Sequence, residues 1–252
     1  MRRTRVIPVL LIHKGGVYKT TKFAKPVYIG DPINAIRLFN DMEVDEIAVL
    51  DVDASKNGSS PDFGLVGELA SEAFMPFAYG GGITSIDQVQ AILQYGIEKI
   101  VINHAFLDDY RFISKCADDI GRQSLVVSID CKKKIMGGYG VFDHVSGKNL
   151  KMDVLEVINC AEEAGAGEIL INSVDRDGTM SGIDNDLVKL VTDSVSVPVI
   201  ACGGAGSLEH LQAAEQNGAS AIAAGSMFVF KGKQRGVLIN YPNEEQLRAF
   251  LR

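Results

Sequence analysis

Asp130 is the residue in this sequence best placed to move a proton. It ends an apolar run, Leu125 to Asp130, that reads as a buried parallel strand. A carboxylate at the C-terminal end of such a strand is a candidate general acid or base, the plainer alternative being a loop cap. Two glycine stretches offer a different chemistry. Phe77-Ala78-Tyr79-Gly80-Gly81-Gly82 and Val199-Ile200-Ala201-Cys202-Gly203-Gly204 each run from a short apolar segment into glycines, and a helical pattern follows. Bare backbone N–H groups at such a turn bind anions, most often phosphate, although a single glycine run is commonly just a turn. Gly81, Gly82, Gly203 and Gly204 are therefore candidate phosphate contacts.

Smaller polar groups stand nearby in sequence. Asn103 and the pair Gly225-Ser226 end two further strands, where short side chains can complete a phosphate site. Asp177-Gly178 reads either as a ligand loop or as an Asx-turn. Asp51, Asp53 and Asp175 occupy comparable loops. Lys19 lies in a long first loop and reads either as a solvated lysine or as a cation reaching over the site. His13, His104, His144 and His210 have no HxxxH or HExxH spacing, so a metal centre is not expected. His104 follows a strand and could line the site, whereas His210 reads as a plain helix residue. There is no GxSxG elbow or Walker A motif.

These residues need a scaffold, and strand and helix signals alternate along the chain to provide one. The strands read as Val6–Ile12, Glu46–Leu50, Pro76–Tyr79, Lys99–Asn103, Leu125–Asp130, Glu168–Asn172, Pro198–Ala201 and Ala219–Ala224. Residues 13–29 are expected to be a loop, Asp31-Pro32 to cap and start a helix, and residues 132–148 to hold an inserted β-hairpin. Further helices are expected over 61–73, 85–95, 109–120, 153–164, 185–195, 207–217 and 243–251. Eight βα units in one domain spanning 1–252 predict an α/β fold, a (β/α)8 TIM barrel, in preference to a doubly wound open sheet.

An internal repeat sharpens the expectation. Glu46, Ile47, Val52, Asp53, Pro76, Gly81, Gly82, Ser85 and Gly96 recur 122 residues later as Glu168, Ile169, Val174, Asp175, Pro198, Gly203, Gly204, Ser207 and Gly218. That period describes two half-barrels. It sets the glycine stretches on opposite sides of one mouth, a geometry suited to a ligand phosphorylated at both ends. The same symmetry pairs Asp130 with Leu11, which cannot transfer a proton. At the opposite ends of the strands stand Arg5, Glu46, Lys99 and Glu168. Two acids and two bases there are either solvated charges or a salt-bridge ring around the barrel axis, since lone buried charges are costly.

Bulk properties narrow the partners. The 252 residues are 46% hydrophobic and 23% charged, with net charge −7 and dispersed Lys and Arg. Nucleic acid and anionic membranes are not expected as main partners. Four cysteines without CxxC spacing read as reduced thiols of a cytoplasmic protein. The basic start, Met1 to Arg5, precedes an apolar run too short for a signal segment or a membrane span.

Taken together, the chain resembles the cyclase subunit of imidazole glycerol phosphate synthase, the HisF type. The likeness is carried by Tyr79-Gly80-Gly81-Gly82-Ile83, Val127-Ser128-Ile129-Asp130, Gly165 to Leu170, Ser173-Val174-Asp175-Arg176-Asp177-Gly178-Thr179 and Ile200 to Gly206. The resemblance implies a glutaminase subunit of the HisH type docked on the barrel bottom. Ammonia then travels through the barrel to an aminated bisphosphorylated ribulosyl substrate, with no metal or organic cofactor. It also implies an ammonia gate at Arg5, Glu46, Lys99 and Glu168, phosphate loops at the glycine stretches, a catalytic acid or base at Asp130 and a loop lysine at Lys19. The family's second catalytic aspartate falls on Leu11. His104 and Asn172 stand at positions where the family carries threonine.

Leu11 and the N-terminal stretch Arg5 to Ile12 with Gly15-Gly16 resemble a second branch, associated with a glutaminase and an ATP-dependent sugar amidotransferase in making acetamidino surface sugars. Three readings therefore stand: an ammonia-delivering subunit for surface-polysaccharide sugars, an authentic cyclase of histidine biosynthesis, and a non-catalytic glutaminase-docking partner. A sugar-phosphate isomerase of the half-barrel type is a weaker fourth, because it too would want two acids.

Overall fold

The computed structural model describes residues 3–232 and 234–252. The first half runs β1 (Arg5–His13), β2 (Gly16–Thr21), β3 (Ala24–Gly30), α1 (Pro32–Asp41), β4 (Ile47–Asp51), α2 (Ala54–Asn57), α3 (Phe63–Glu72), β5 (Phe77–Gly80), α4 (Ile86–Leu93), β6 (Lys99–Ile102), α5 (His104–Asp108) and α6 (Arg111–Ile120). The second runs β7 (Leu125–Lys133), β8 (Tyr139–Asp143), β9 (Lys148–Asp153), α7 (Val154–Ala164), β10 (Glu168–Ser173), α8 (Asn185–Thr192), β11 (Val199–Cys202), α9 (Leu208–Gln216), β12 (Ala221–Ala224) and α10 (Ser226–Val229). The two-residue strands β13 (Phe230–Lys231) and β14 (Gly236–Val237) and helix α11 (Glu244–Phe250) follow.

Eight of these strands are parallel and close on themselves. The order is β1, β4, β5, β6, β7, β10, β11, β12, with β12 paired back to β1 through Arg5 opposite Ala221. This is a (β/α)8 TIM barrel, and the open sheet is excluded by that last pairing. Helices start where the sequence supplies acceptors for their first N–H groups. Asp31 accepts from the Asn34 N–H at 2.9 Å with Pro32 next to it, Asp153 caps α7, and Ser85 with Gln88 forms a capping box on α4.

The structure corrects the sequence reading in two main places. Residues 13–29 are not a loop: β2 pairs antiparallel with the end of β1, and β3 pairs with β2. The sequence carries no sign of this hairpin because β3 is exposed or half-buried throughout and shows no hydrophobic period. Asn103 and Ser226 do not end strands; Asn103 precedes the one-turn helix α5, and Ser226 opens α10. The hairpin expected over 132–148 is present as the extended end of β7 paired antiparallel with β8, and a further strand, β9, which the sequence reading did not include, pairs with β8.

Strand alternation carries one set of residues into the barrel axis. Ile7, Val9, Ala48, Ala78, Val101, Val126, Leu170, Ile200, Ala221 and Ala223 form a separate apolar cluster there, with Leu11, Leu50 and Cys202 packed against it. A larger core lies between the barrel and the helices. Each inward column thus reads from a charged strand start through apolar positions to the mouth: Arg5, Ile7, Val9, Leu11 on β1, and Glu168, Leu170, Asn172 on β10.

Candidate functional site

At the strand starts, Arg5, Glu46, Lys99 and Glu168 join into a closed ring. Arg5 donates to Glu46, and to Glu168 at 2.6 Å; Lys99 Nζ lies 3.1 Å from both Glu46 and Glu168. Every acid meets both bases, so no buried charge is left alone, which is the condition under which such groups are tolerated in a barrel floor. Glu46 is 3% exposed.

At the other end, the strand ends and loops surround a cleft of about 1340 Å3, counting the space open to solvent. Asp130 stands on its floor. The side-chain amide of Asn172 donates to it at 2.9 Å and that of Asn103 at 3.1 Å, and His144 Nδ1 lies 3.7 Å away. Burial pushes the Asp130 carboxyl up to about 7, against the two amide hydrogen bonds that favour its charged form. Burial likewise lowers His144 to about 4, so its ring is neutral near pH 7. His144 is a residue that sequence reasoning missed. It sits on the turn between β8 and β9, and only the hairpin geometry brings it over Asp130.

Leu11 lines the same cleft. It pairs with Leu50 on β4, as Asp130 pairs with Asn172 on β10, and Leu50 and Asn172 are themselves related by the internal repeat. Leu11 is therefore the structural counterpart of Asp130. The floor of the mouth is apolar on the first half and polar on the second.

Lys19 projects from β2 into the cleft and is buried, which lowers its ammonium to about 8 against the attraction of Asp177. Its Nζ lies over Gly225, where any Cβ would come within 1.9 Å of it. The hairpin that carries Lys19 rests on the loop after β10: the Lys22 N–H donates to Asp177 O at 3.0 Å, and a Cβ on Gly178 would meet Thr20 O at 2.1 Å. Asp177 is raised by burial and accepts from the Thr20 hydroxyl at 3.4 Å.

The glycine loops face each other across the cleft. Gly81 has φ +121° and Gly204 φ +100°, and a side chain on either would collide with backbone, at Asp51 O and Gly182 O respectively. Several polar atoms around the cleft have no partner in the protein: Asn103 Oδ1, Asn172 Oδ1, His144 Nδ1 and Ser226 Oγ are all buried and unsatisfied. Groups of this kind in one cleft are what a bound polar ligand or water would satisfy. His104 also lines it, held by Asp143 at 3.2 Å and Asp108 at 3.3 Å. His210 is more than a helix residue: its Nδ1 accepts the Gly206 N–H at 3.2 Å, steadying the second glycine loop. Asp51 and Asp53 serve locally. Asp51 accepts from the Asp53 and Ala54 N–H groups, and Asp53 pairs with His13 at 2.8 Å. Asp175 accepts the Lys133 N–H.

Among the described residues no cluster of His, Cys, Asp and Glu could hold a metal ion, and no helix is long and apolar enough to cross a membrane. All four cysteines are free.

Comparison with known proteins matches residues 5–234 to the family described as histidine biosynthesis protein. A Pseudomonas aeruginosa protein named "Putative imidazole glycerol phosphate synthase subunit hisF2" is 50% identical over 98% of this chain and 99% of its own length. A Leptospira interrogans protein carrying the same description with the name HisF is 45% identical, over 99% of both chains. A Vibrio vulnificus protein named hisF3 is 42% identical over 100% of this chain and 97% of its own. With the closed barrel and this full-length likeness together, the chain belongs to the histidine biosynthesis protein family, as a HisF-type imidazole glycerol phosphate synthase subunit of the paralogous kind.

Proposed function

We propose that this protein receives ammonia from a glutaminase subunit docked at the Arg5–Glu46–Lys99–Glu168 face and delivers it through the barrel to a phosphorylated ligand at the mouth, in amidotransfer to a surface-polysaccharide sugar. The observation that carries this reading is the pairing of an intact charged ring with Leu11 opposite Asp130: the floor keeps its gate while the mouth has lost half of a two-acid arrangement. An apolar lining between them suits neutral ammonia and opposes ammonium, whose charge is expensive to desolvate. Within the ring, Lys99 is the group whose movement opens the floor, because it bridges both acids by a flexible stem.

At the mouth, Asp130 is the proton-transfer residue and Lys19 the cation that settles the ligand. Gly81, Gly82, Asn103, Asp177, Gly178, Gly203, Gly204, Gly225 and Ser226 shape its binding site. An ATP-dependent sugar amidotransferase is the downstream partner, and the reaction is cytoplasmic with no cofactor held by this chain.

Turnover of the aminated ribulosyl bisphosphate with ammonium salts tests the reading. Wild-type protein should turn over at least about a hundredfold more slowly than the Leu11→Asp variant. Equal rates would remove the argument from Leu11. A second reading, an authentic cyclase of histidine biosynthesis, has one observation in its favour: His144 beside Asp130 supplies a second titratable group on the same side of the mouth. It requires wild-type turnover that His144→Gln abolishes.

A further inference from the structure

The internal repeat allows the two glycine cradles to be compared position by position. Gly82 corresponds to Gly204, Ser55 to Asp177, Asn103 to Gly225 and His104 to Ser226. The paired positions do opposite things. The Gly82 N–H is already spent on Ser55 Oγ at 3.2 Å, whereas the Gly204 N–H donates to no protein atom among the described residues. Asn103 fills the space beside its cradle and turns its amide to Asp130 at 3.1 Å. Gly225 leaves the corresponding space empty, and Lys19 Nζ occupies it. His104 is bracketed by Asp143 at 3.2 Å and Asp108 at 3.3 Å. Ser226 is 6% exposed and its Oγ has no partner.

We infer that the mouth takes a sugar phosphate carrying a single phosphate, bound on the Gly203–Gly204, Lys19 and Ser226 side, with an uncharged or amine-bearing end toward Gly81–Gly82. The inference rests on the reading of the mouth as a phosphorylated-ligand site and names its substrate class. Phosphate needs several unspent donors and a favourable field. The second cradle has both: an open N–H, an orphan hydroxyl, and Lys19 with Arg235, whose guanidinium caps the Gly178 carbonyl, against the one carboxylate of Asp177. The first is poorer in both: the Gly82 N–H and the Asn103 amide are already engaged, and the three carboxylates of Asp51, Asp108 and Asp143 stand against Lys56 and the His104 imidazole. A second phosphate there would meet net negative charge, whereas a hydroxyl or ammonium would find acceptors.

Calorimetric titration with ribulose 5-phosphate and ribulose 1,5-bisphosphate, which differ by one phosphate, tests this directly. Wild-type affinities should agree within about threefold, and Ser226→Ala or Lys19→Ala should weaken both probes at least about tenfold. In the double variant Ser55→Ala/Asp108→Asn, which frees the Gly82 N–H and removes one of the three carboxylates, the bisphosphate should gain at least about tenfold over the monophosphate. A wild-type preference for the bisphosphate of about tenfold or more, insensitivity to Lys19→Ala, or no binding of either sugar would overturn the inference. Ammonia transfer is read separately, from the ratio of glutamine-dependent to ammonium-dependent product in Lys99→Ala. An equal-cradle result with a disturbed ratio therefore sinks only the substrate class, and the converse sinks only the gate.

Discussion

Asp130 and His144 exchange their usual order of proton affinity. The carboxyl holds its proton up to about pH 7 and the imidazole loses its own near pH 4, both because burial opposes charge. Between those values the pair is neutral, with the proton on Asp130. The native carboxyl binds a proton more tightly than the unfolded one, so its contribution to stability is full below about pH 4 and is lost as pH rises towards 7. Asp130→Asn should therefore leave stability unchanged near pH 4 and raise it at pH 8 by ~1–3 kcal/mol in urea unfolding, while abolishing product formation. Lower stability of the variant at pH 8 would mean that the native carboxylate is charged and well paired. Lys19 gives a second pH signature. Its ammonium is lowered to about 8, so phosphate binding should weaken as pH rises from 7 to 9, and Lys19→Arg should flatten that profile. Asp130 was legible in the sequence because its strand is a clean apolar run. His144 was not, because nothing in its neighbours fixes where a hairpin turn will point.

The antiparallel pair β2 and β3 is the element that turns a barrel end into a site. It brings Lys19 over Gly225 and rests on Asp177-Gly178. At Gly178, φ is +68° and a Cβ would press on Thr20 O, so Gly178→Ala must push the hairpin off its seat. The expected result is a loss of ~1–3 kcal/mol in thermal unfolding together with at least tenfold weaker phosphate binding. Unchanged binding would show that Lys19 is placed by something other than this contact. Sequence reading caught the β7–β8 hairpin through Tyr139, Val141 and the Gly137-Gly138 turn, but not β9 beyond it. It lost the β2–β3 hairpin, whose outer strand buries nothing and whose residues Lys22, Phe23 and Lys25 adopt positive φ. A strand with no buried face leaves no period to read.

The barrel itself was the most legible feature, since eight apolar runs and a 122-residue repeat admit few closures. Chain alternation then links the two ends: the residues that start the inward columns form the ring, and those that finish them form the mouth. The ring has its own energetic signature. Lys99→Met leaves Glu46 and Glu168 to share Arg5 alone, and should cost about 3 kcal/mol in denaturant unfolding, with partial recovery on adding Glu168→Gln. No loss would mean that the ring is solvated rather than structural. Passage of ammonia along the axis is the central claim, and isotope competition addresses it most directly. The complex with its glutaminase is supplied with amide-15N glutamine in the presence of excess unlabelled ammonium, and the 15N content of the aminated product is measured by mass spectrometry. Wild-type complex should yield product that keeps most of the glutamine label, and Lys99→Ala should yield product diluted towards the bulk ratio. Product from the wild-type complex that already matches the bulk ammonium ratio would contradict a route through the barrel.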